Sequence, residues 1–323
     1  MRVIRNLDDL ADQPRASTIT IGNFDGVHLA HQQLLRRVVE CARPARAQAV
    51  AITFDPHPAY VLAPERAPRL LTSLDRKIES IATLGIELLV VLPFTHELAR
   101  LSPGSFVQDI LVRRLRAVSV HVGPNFRFGY RQAGTTELLK ELAREAGFTV
   151  EVLPLLQVRG ERVSSSRIRH LLAEGRVGKA GRLLGRPYSI QGPIVSGQGV
   201  GSRQTVPTLN LGPVKELLPG KGVYVSRTRL GETFHESVTN VGHKPTFGEH
   251  QLTVESHLLN LTGEFSEAEM EIEFLHRLRD ERKFSDSTSL LAQIRKDASR
   301  AAQFFRLSKT LRKRPSRQGT AER

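Results

Sequence analysis

The sequence predicts a two-part α/β protein, a parallel sheet wound with helices followed by a small antiparallel β-barrel and a C-terminal helix. Three observations carry the prediction. Strand-like and helix-like runs alternate as far as Arg186, the pattern of a parallel sheet with helical crossovers. From Ile190 to Phe274 glycines and prolines are frequent and short alternating runs follow one another without a long helical period, as in a small barrel. Helical spacing returns over Ser287 to Phe305, where Leu290, Leu291, Ile294, Ala298, Ala301, Ala302 and Phe305 form a face that would pack on that barrel.

In the first part the expected strands are Ser17–Ile21, Ala49–Thr53, Leu88–Leu92, Val118–Val122 and Thr149–Val152. The expected helices are Leu29–Ala42, Ser73–Leu84, Ser105–Leu115 and Thr136–Ala146. In the second part Gly222–Arg227, His235–Val241 and Val254–Leu259 read as strands. These patterns predict domains at 1–186 and 187–306, followed by a basic tail at 307–323 that reads as disordered. Chemistry in parallel sheets gathers at the carboxyl ends of strands. Polar loops fall at such places in Gly22–His31, Phe54–Pro58 and Gly123–Gly134, and past the last strand in Arg162–Arg169.

At 323 residues the chain is comfortable for two domains. Its longest apolar candidate, Ile86 to Phe94, is strand-sized, well short of the ~20 residues of a membrane span, so no membrane partner is expected. A single cysteine, Cys41, cannot form an intrachain disulfide and fits a reducing compartment, which predicts a cytoplasmic location. The formal charge of +14 favours polyanions, nucleotides or nucleic acid alike. Part of the excess lies in Arg306 to Arg323, open to reading as a solvated tail or as a contact for RNA or an acidic partner.

The most informative segment runs from Thr18 to His31, where an alternating β-branched strand meets a loop holding Gly22 and Gly26 and then a helix. His28 and His31, three residues apart, share a face of the first helical turn, where free backbone N–H groups and the helix dipole favour an anion. Asp25 would aim a histidine or hold a metal. Two other readings stay open at this level: a solvated or core-edge pair, and a zinc site formed with His57.

Phe54-Asp55-Pro56-His57-Pro58 holds His57 in a loop stiffened by prolines, which is also ordinary turn chemistry. Gly123 to Arg131 mixes Asn125, Phe126, Arg127 and Phe128 with glycines, a composition suited to a planar ligand bearing phosphate. Ser164, Ser165 and Ser166 open a helix as cap residues. Arg167 and Arg169 in its first turns oppose the dipole, and a shared anion would resolve that conflict.

In the second half Gly197, Gly199 and Gly201 form a Gly-x-Gly-x-Gly loop, which is also common barrel-turn composition. In Pro207-Thr208-Leu209-Asn210 the oxygens of Thr208 and Asn210 alternate to one side of an extended strand and suit one magnesium ion. Glu255 and His257 share a strand face; an isolated strand glutamate is also read as a plain outer residue. No Gly-x-x-x-x-Gly-Lys-Ser/Thr occurs, nor His-Arg-Asp with Asp-Phe-Gly.

Taken in order, these motifs resemble those of bacterial bifunctional riboflavin kinase/FMN adenylyltransferase, also called FAD synthetase, over about residues 1 to 305. Gly22-Asn23-Phe24-Asp25-Gly26-Val27-His28 is similar to the family's form of the His-x-Gly-His signature, with Ala30 in place of its glycine. The resemblance implies a Rossmann-like nucleotidylyltransferase domain and then a β-barrel flavokinase domain. It implies that His28 and His31 stabilise transition-state charge, and that Gly22 through Gly26, Ser164, Ser165, Ser166 and Arg169 hold ATP phosphates, Ser166 replacing a threonine. His57, Asn125, Phe126, Arg127, Phe128, Arg279 and Phe284 would bound the flavin. In the kinase half Pro207-Thr208-Leu209-Asn210 resembles Pro-Thr-Ala-Asn, and Gln204-Thr205-Val206 departs from the usual Leu-Gly-Phe. Thr208 and Asn210 are implied as magnesium ligands, the glycines at 197, 199 and 201 as ATP-binding, and Glu255 as the general base.

The expected activity is therefore phosphorylation of riboflavin by ATP to FMN, then adenylylation of FMN to FAD and pyrophosphate, with Mg2+ and with ATP as co-substrate. No specific nucleic-acid partner is expected, and homo-oligomerisation is left open. The alternatives are a single-activity nucleotidylyltransferase of the His-x-Gly-His superfamily and a basic nucleic-acid-binding protein.

Overall fold

The computed structural model describes residues 1–10, 16–195, 208–243, 252–259, 267–284 and 286–313. They form two compact units. The first comprises Met1–Ile168 with Leu183–Gly185, and the second Arg169–Arg182 with the described part of Arg186–Arg323.

The first unit holds a six-stranded parallel sheet of β1 (Arg2–Ile4), β2 (Ser17–Ile21), β3 (Gln48–Asp55), β4 (Leu88–Pro93), β5 (Ala117–Val122) and β6 (Thr149–Val152). Its helices are α1 (Leu29–Ala42), α2 (Pro58–Leu62), α3 (Leu74–Ala82), α4 (His96–Arg100), α5 (Pro103–Ser105, continued by a π-helix over Phe106–Arg114) and α6 (Thr136–Ala146). A small hairpin follows, β7 (Gln157–Val158) and β8 (Glu161–Arg162). α7 (Ser165–Ala173) and α8 (Val177–Leu184) come next in the chain.

Both faces of the sheet are covered, so β2 is buried at every position and β4 along most of its length. On one face Ile19, Ile21, Val50, Ile52, Val90 and Val120 pack with Phe106, Ile110, Leu111, Leu139 and Phe148. On the other Ala49, Ala51, Leu89 and Val91 pack with Leu34, Leu35, Val38 and Ile81. The order is β1-β4-β3-β2-β5-β6. The chain therefore winds from β2 outward to β4 and returns to β5 on the other side of β2, which opens a crevice beyond the carboxyl ends of β2 and β5.

The second unit is a closed antiparallel barrel in the order β10-β13-β12-β11-β14-β9. Its strands are β9 (Tyr188–Val195), β10 (Thr208–Leu211), β11 (Gly222–Leu230), β12 (Thr233–His243), β13 (Leu252–Leu258) and β14 (Glu269–Arg279). Inside it Ser226, Thr228, Ser237, Thr239 and Ser256 are fully buried. Their hydroxyls close a ring of hydrogen bonds of 2.7–3.2 Å, so that each has two partners and none is orphaned.

The last helix, α9 (Ser287–Lys313), lays Ala301 and Phe305 on Val223, Val225 and Val238. It overruns the expected end at Phe305. The start of the tail expected to be disordered is thus helical as far as Lys313, because Arg, Lys and Leu are good helix formers and Lys309 reaches Glu236 at 2.6 Å. The rest of that tail lies outside the described residues. Among the described residues no helix is long and apolar enough to cross a membrane.

Candidate functional site

The crevice beyond β2 is shaped by a strained loop. Gly26 has φ +81°, and a Cβ there would come within 2.9 Å of Leu71. Phe24 and Val27 adopt φ of +48° and +40°, conformations that cost side-chain-bearing residues energy and persist where packing enforces them. Phe24, expected at the phosphates, instead has a fully buried ring set edge-on to His31 at 5.2 Å, so its side chain supports the histidine from the core. Asp25 is also buried; Leu71 N–H donates to its two carboxylate oxygens at 2.9 and 3.2 Å, tying the loop to the segment before α3. Thr53 Oγ1 donates to the Asn23 carbonyl at 3.2 Å, fixing the loop to β3.

His28 is the N-cap of α1, its Nδ1 accepting the His31 backbone N–H at 3.3 Å. The two rings stack at 3.5 Å with planes 15° apart. His31 Nδ1 is buried and has no hydrogen-bond partner. Burial, then His28 and Lys77, push the His31 imidazole well below its usual 6.5, so it is neutral at physiological pH.

Lys77 is the residue the sequence reading missed. It is 5% exposed in the first turn of α3 and within electrostatic range of His31, Asp25 and Asp55. A signal existed: Lys77 stands between Leu74 and Ile81 on the apolar stripe of α3, an uncommon place for a lysine.

The remaining loops of this unit divide between structural and exposed roles. His57 caps α2, its Nδ1 accepting Ala59 N–H at 3.2 Å. Beyond β5, Asn125 and Arg127 are exposed and Phe126 is half-buried. Phe128, expected to shape a flavin pocket, is buried in the sheet core, stacked under Phe126 and facing Phe106, because its backbone bridges to Gly134 and turns the ring inward. Ser164 caps α7 by accepting Arg167 N–H at 3.2 Å, and Ser165 Oγ donates to the Asp25 carbonyl at 2.9 Å. Ser166 is exposed, and Arg169 follows Ser165 by one turn of α7. Arg167 is held by both oxygens of Glu161 at 2.7 and 3.0 Å.

In the barrel the register brings the second group together. Asn210 lies opposite Glu255, Glu255 opposite Asn240, and Thr208 opposite His257. Directly paired residues of antiparallel strands share a face, so Thr208, Asn210, Asn240, Glu255 and His257 form one polar patch. Gly197, Gly199 and Gly201 lie outside the described residues. Arg279, expected at the flavin, is anchored from α9. Its guanidinium pairs with the buried Asp297 of α9 at 2.8–2.9 Å, and Gln293 donates to the other Asp297 oxygen. Phe284 lies under that guanidinium at 5.8 Å.

Among the described residues, the group with metal-ligating spacing is Cys41, His121 and Glu151, and not His28, His31 and His57. It is an internally bonded cluster in which His121 Nδ1 meets Glu151 at 2.9 Å and Arg37 grips the same carboxylate.

Two family models match the chain in this order, FAD synthetase over residues 10–167 and riboflavin kinase over residues 184–305. The bifunctional riboflavin kinase/FMN adenylyltransferase of Escherichia coli (strain K12) is 33% identical over 96% of this chain and 99% of its own length. The protein of that name from Pseudomonas fluorescens is 33% identical over 93% of this chain and 97% of its own. A crystal structure described as a macrolide-efflux protein from Streptococcus pneumoniae superposes with a TM-score of 0.80 at 26% identity, covering 92% of this chain and 96% of that one. With a third of residues identical across nearly the full length and both models matched in sequence order, the chain belongs to the bifunctional riboflavin kinase/FMN adenylyltransferase family.

Proposed function

We propose that the chain performs both reactions, ATP-dependent phosphorylation of riboflavin in a domain at 187–306 that holds the barrel and adenylylation of FMN in a domain at 1–186 that holds the sheet, and that it works in the cytoplasm. The observation that carries this reading is the presence of two separate constellations, one per unit: the stacked His28–His31 pair at the switch point of the parallel sheet, and the Asn210–Glu255 row on the barrel.

In the adenylyltransferase half an FMN phosphate oxygen attacks the α-phosphorus of ATP, the bond from that phosphorus to the bridging oxygen breaks, and pyrophosphate leaves. With His28 Nδ1 accepting a backbone N–H, its Nε2 is the nitrogen left to donate to the developing charge. The backbone around Gly22 to Gly26 and the hydroxyls of Ser164, Ser165 and Ser166 meet the phosphates. His57, Asn125, Phe126 and Arg127 bound the flavin.

In the kinase half Glu255 takes the proton of the ribityl 5′-hydroxyl as that oxygen attacks the γ-phosphorus and ADP leaves. Thr208 and Asn210 offer hard, neutral oxygens on one face beside the Glu255 carboxylate, a donor set that fits Mg2+. A magnesium ion held there would neutralise phosphate charge. Incubation with riboflavin, ATP and magnesium, then separately with FMN and ATP, tests the reading. FMN and FAD respectively are expected, and absence of either product removes that half of the assignment.

A further inference from the structure

Lys77 is 5% exposed, and among the described residues its ammonium makes no hydrogen bond or ion pair. A lysine on a largely buried stem without a protein partner for its ammonium is kept where something else supplies the counter-charge. The carboxylates within electrostatic range are Asp25, which also accepts the Leu71 N–H, and Asp55, exposed at the end of β3. The lysine is also well anchored. Its backbone N–H donates to the Ser73 carbonyl at 3.0 Å, and Leu71, just ahead of α3, is tied to the loop that carries His28. Leu74, Ile78 and Ile81 of the same helix pack into the core beside α1.

We propose that Lys77 is a phosphate-binding residue of the adenylyltransferase site, its ammonium receiving an oxygen of the ATP β,γ-phosphates and holding them as pyrophosphate departs. The assignment rests on the functional reading above for the reaction, and on burial and missing partners for the residue. It also explains the local charge pattern. Burial first, then His28 and Lys77, disfavour protonation of His31 before the nucleotide arrives, so His31 meets the phosphates as a neutral donor. Burial lowers the Lys77 pKa, and Asp25 and Asp55 oppose that shift.

The test uses Lys77→Met and Lys77→Arg in the full chain, with three measurements: FAD formation from FMN and ATP, FMN formation from riboflavin, and the rise in melting temperature caused by added inorganic pyrophosphate. Lys77→Met removes the charge and keeps the apolar length. It should lower kcat/KM for FAD formation by about 10²-fold or more, the scale of losing one preorganised charge contact. Its melting temperature should equal or exceed that of the wild type, since an unpaired buried charge has been replaced by a thioether. Kinase activity should be unchanged, and the pyrophosphate-induced shift should disappear. Normal FAD formation, or a full pyrophosphate shift, in Lys77→Met would overturn the proposal. So would a melting temperature that drops in Lys77→Met and recovers in Lys77→Arg without recovery of the pyrophosphate response, because the lysine would then be structural. Should the wild type itself make no FAD, the functional reading fails, and the pyrophosphate shift still decides the role of Lys77.

Discussion

The His31 backbone N–H donates to Nδ1 of His28, and the two imidazoles stack at 3.5 Å. One residue thus does two jobs: His28 caps α1 through Nδ1 and has Nε2 left to donate. The jobs are separable. Asparagine is among the best N-caps but lacks the reach of an imidazole. His28→Asn should therefore keep the stability of the wild type within about 0.5 kcal/mol, while His28→Ala loses about 1 kcal/mol. Both should lower FAD formation from FMN by roughly 10²-fold or more and leave FMN formation intact. Thermal melts and the two product assays check this; a catalytic loss that appears in the alanine variant alone would reduce His28 to a cap.

The neutral His31 makes stability pH-dependent. In the unfolded chain the imidazole titrates near 6.5, whereas in the fold burial, His28 and Lys77 hold its pKa well below that. As pH falls through about 6.5 the unfolded state takes a proton that the folded state refuses, so this stability is present above that pH and is lost below it, by up to about 1.4 kcal/mol per pH unit. Urea midpoints of the wild type and His31→Asn at pH 7.5 and 5.5 isolate the contribution. The wild type should lose more on acidification than the variant, and equal losses would mean that His31 protonates freely in the fold.

Much of this was legible in the sequence because the relevant patterns are local. The strand at Ser17–Ile21, the helix at Leu29–Ala42 and the strand at Thr149–Val152 fall where the periodicity puts them. What was illegible depends on partners far along the chain. β1 is three residues with only Ile4 buried, and it exists because β4 pairs with it. No motif or local period marks Ser226, Ser237 and Ser256 as interior, yet they face the barrel interior, where each hydroxyl finds others to satisfy it. What the motifs could not show for Phe24, Phe128 and Arg279 is what each packs against within the protein. The first two rings are buried in the core, and Arg279 is bound to Asp297.

That last pair carries its own expectation. Asp297 is 2% exposed and bonds both Arg279 and Gln293. Removing one member of a buried ion pair strands the other charge, so Asp297→Ala should cost about 3–5 kcal/mol, whereas Arg279→Met combined with Asp297→Leu should recover most of it. Denaturant unfolding of the three proteins distinguishes this from an exposed pair, for which both changes would be small.

The final prediction concerns the independence of the two reactions. Glu255 lies opposite Asn210 on one side and Asn240 on the other. Glu255→Gln preserves size and hydrogen bonding and removes only the basic carboxylate, so FMN formation should fall by about 10²- to 10⁴-fold, the usual share of a general base. Combining Thr208→Ala with Asn210→Ala should also silence the kinase by removing the proposed magnesium oxygens. Both variants should adenylylate supplied FMN at nearly the normal rate, because His28 and His31 belong to the other compact unit. If Glu255→Gln makes FMN normally, the base is another group and Glu255 is a plain strand residue. If both reactions collapse while circular dichroism and melting temperature stay unchanged, the two reactions depend on shared residues, and the assignment of one activity to each unit is wrong.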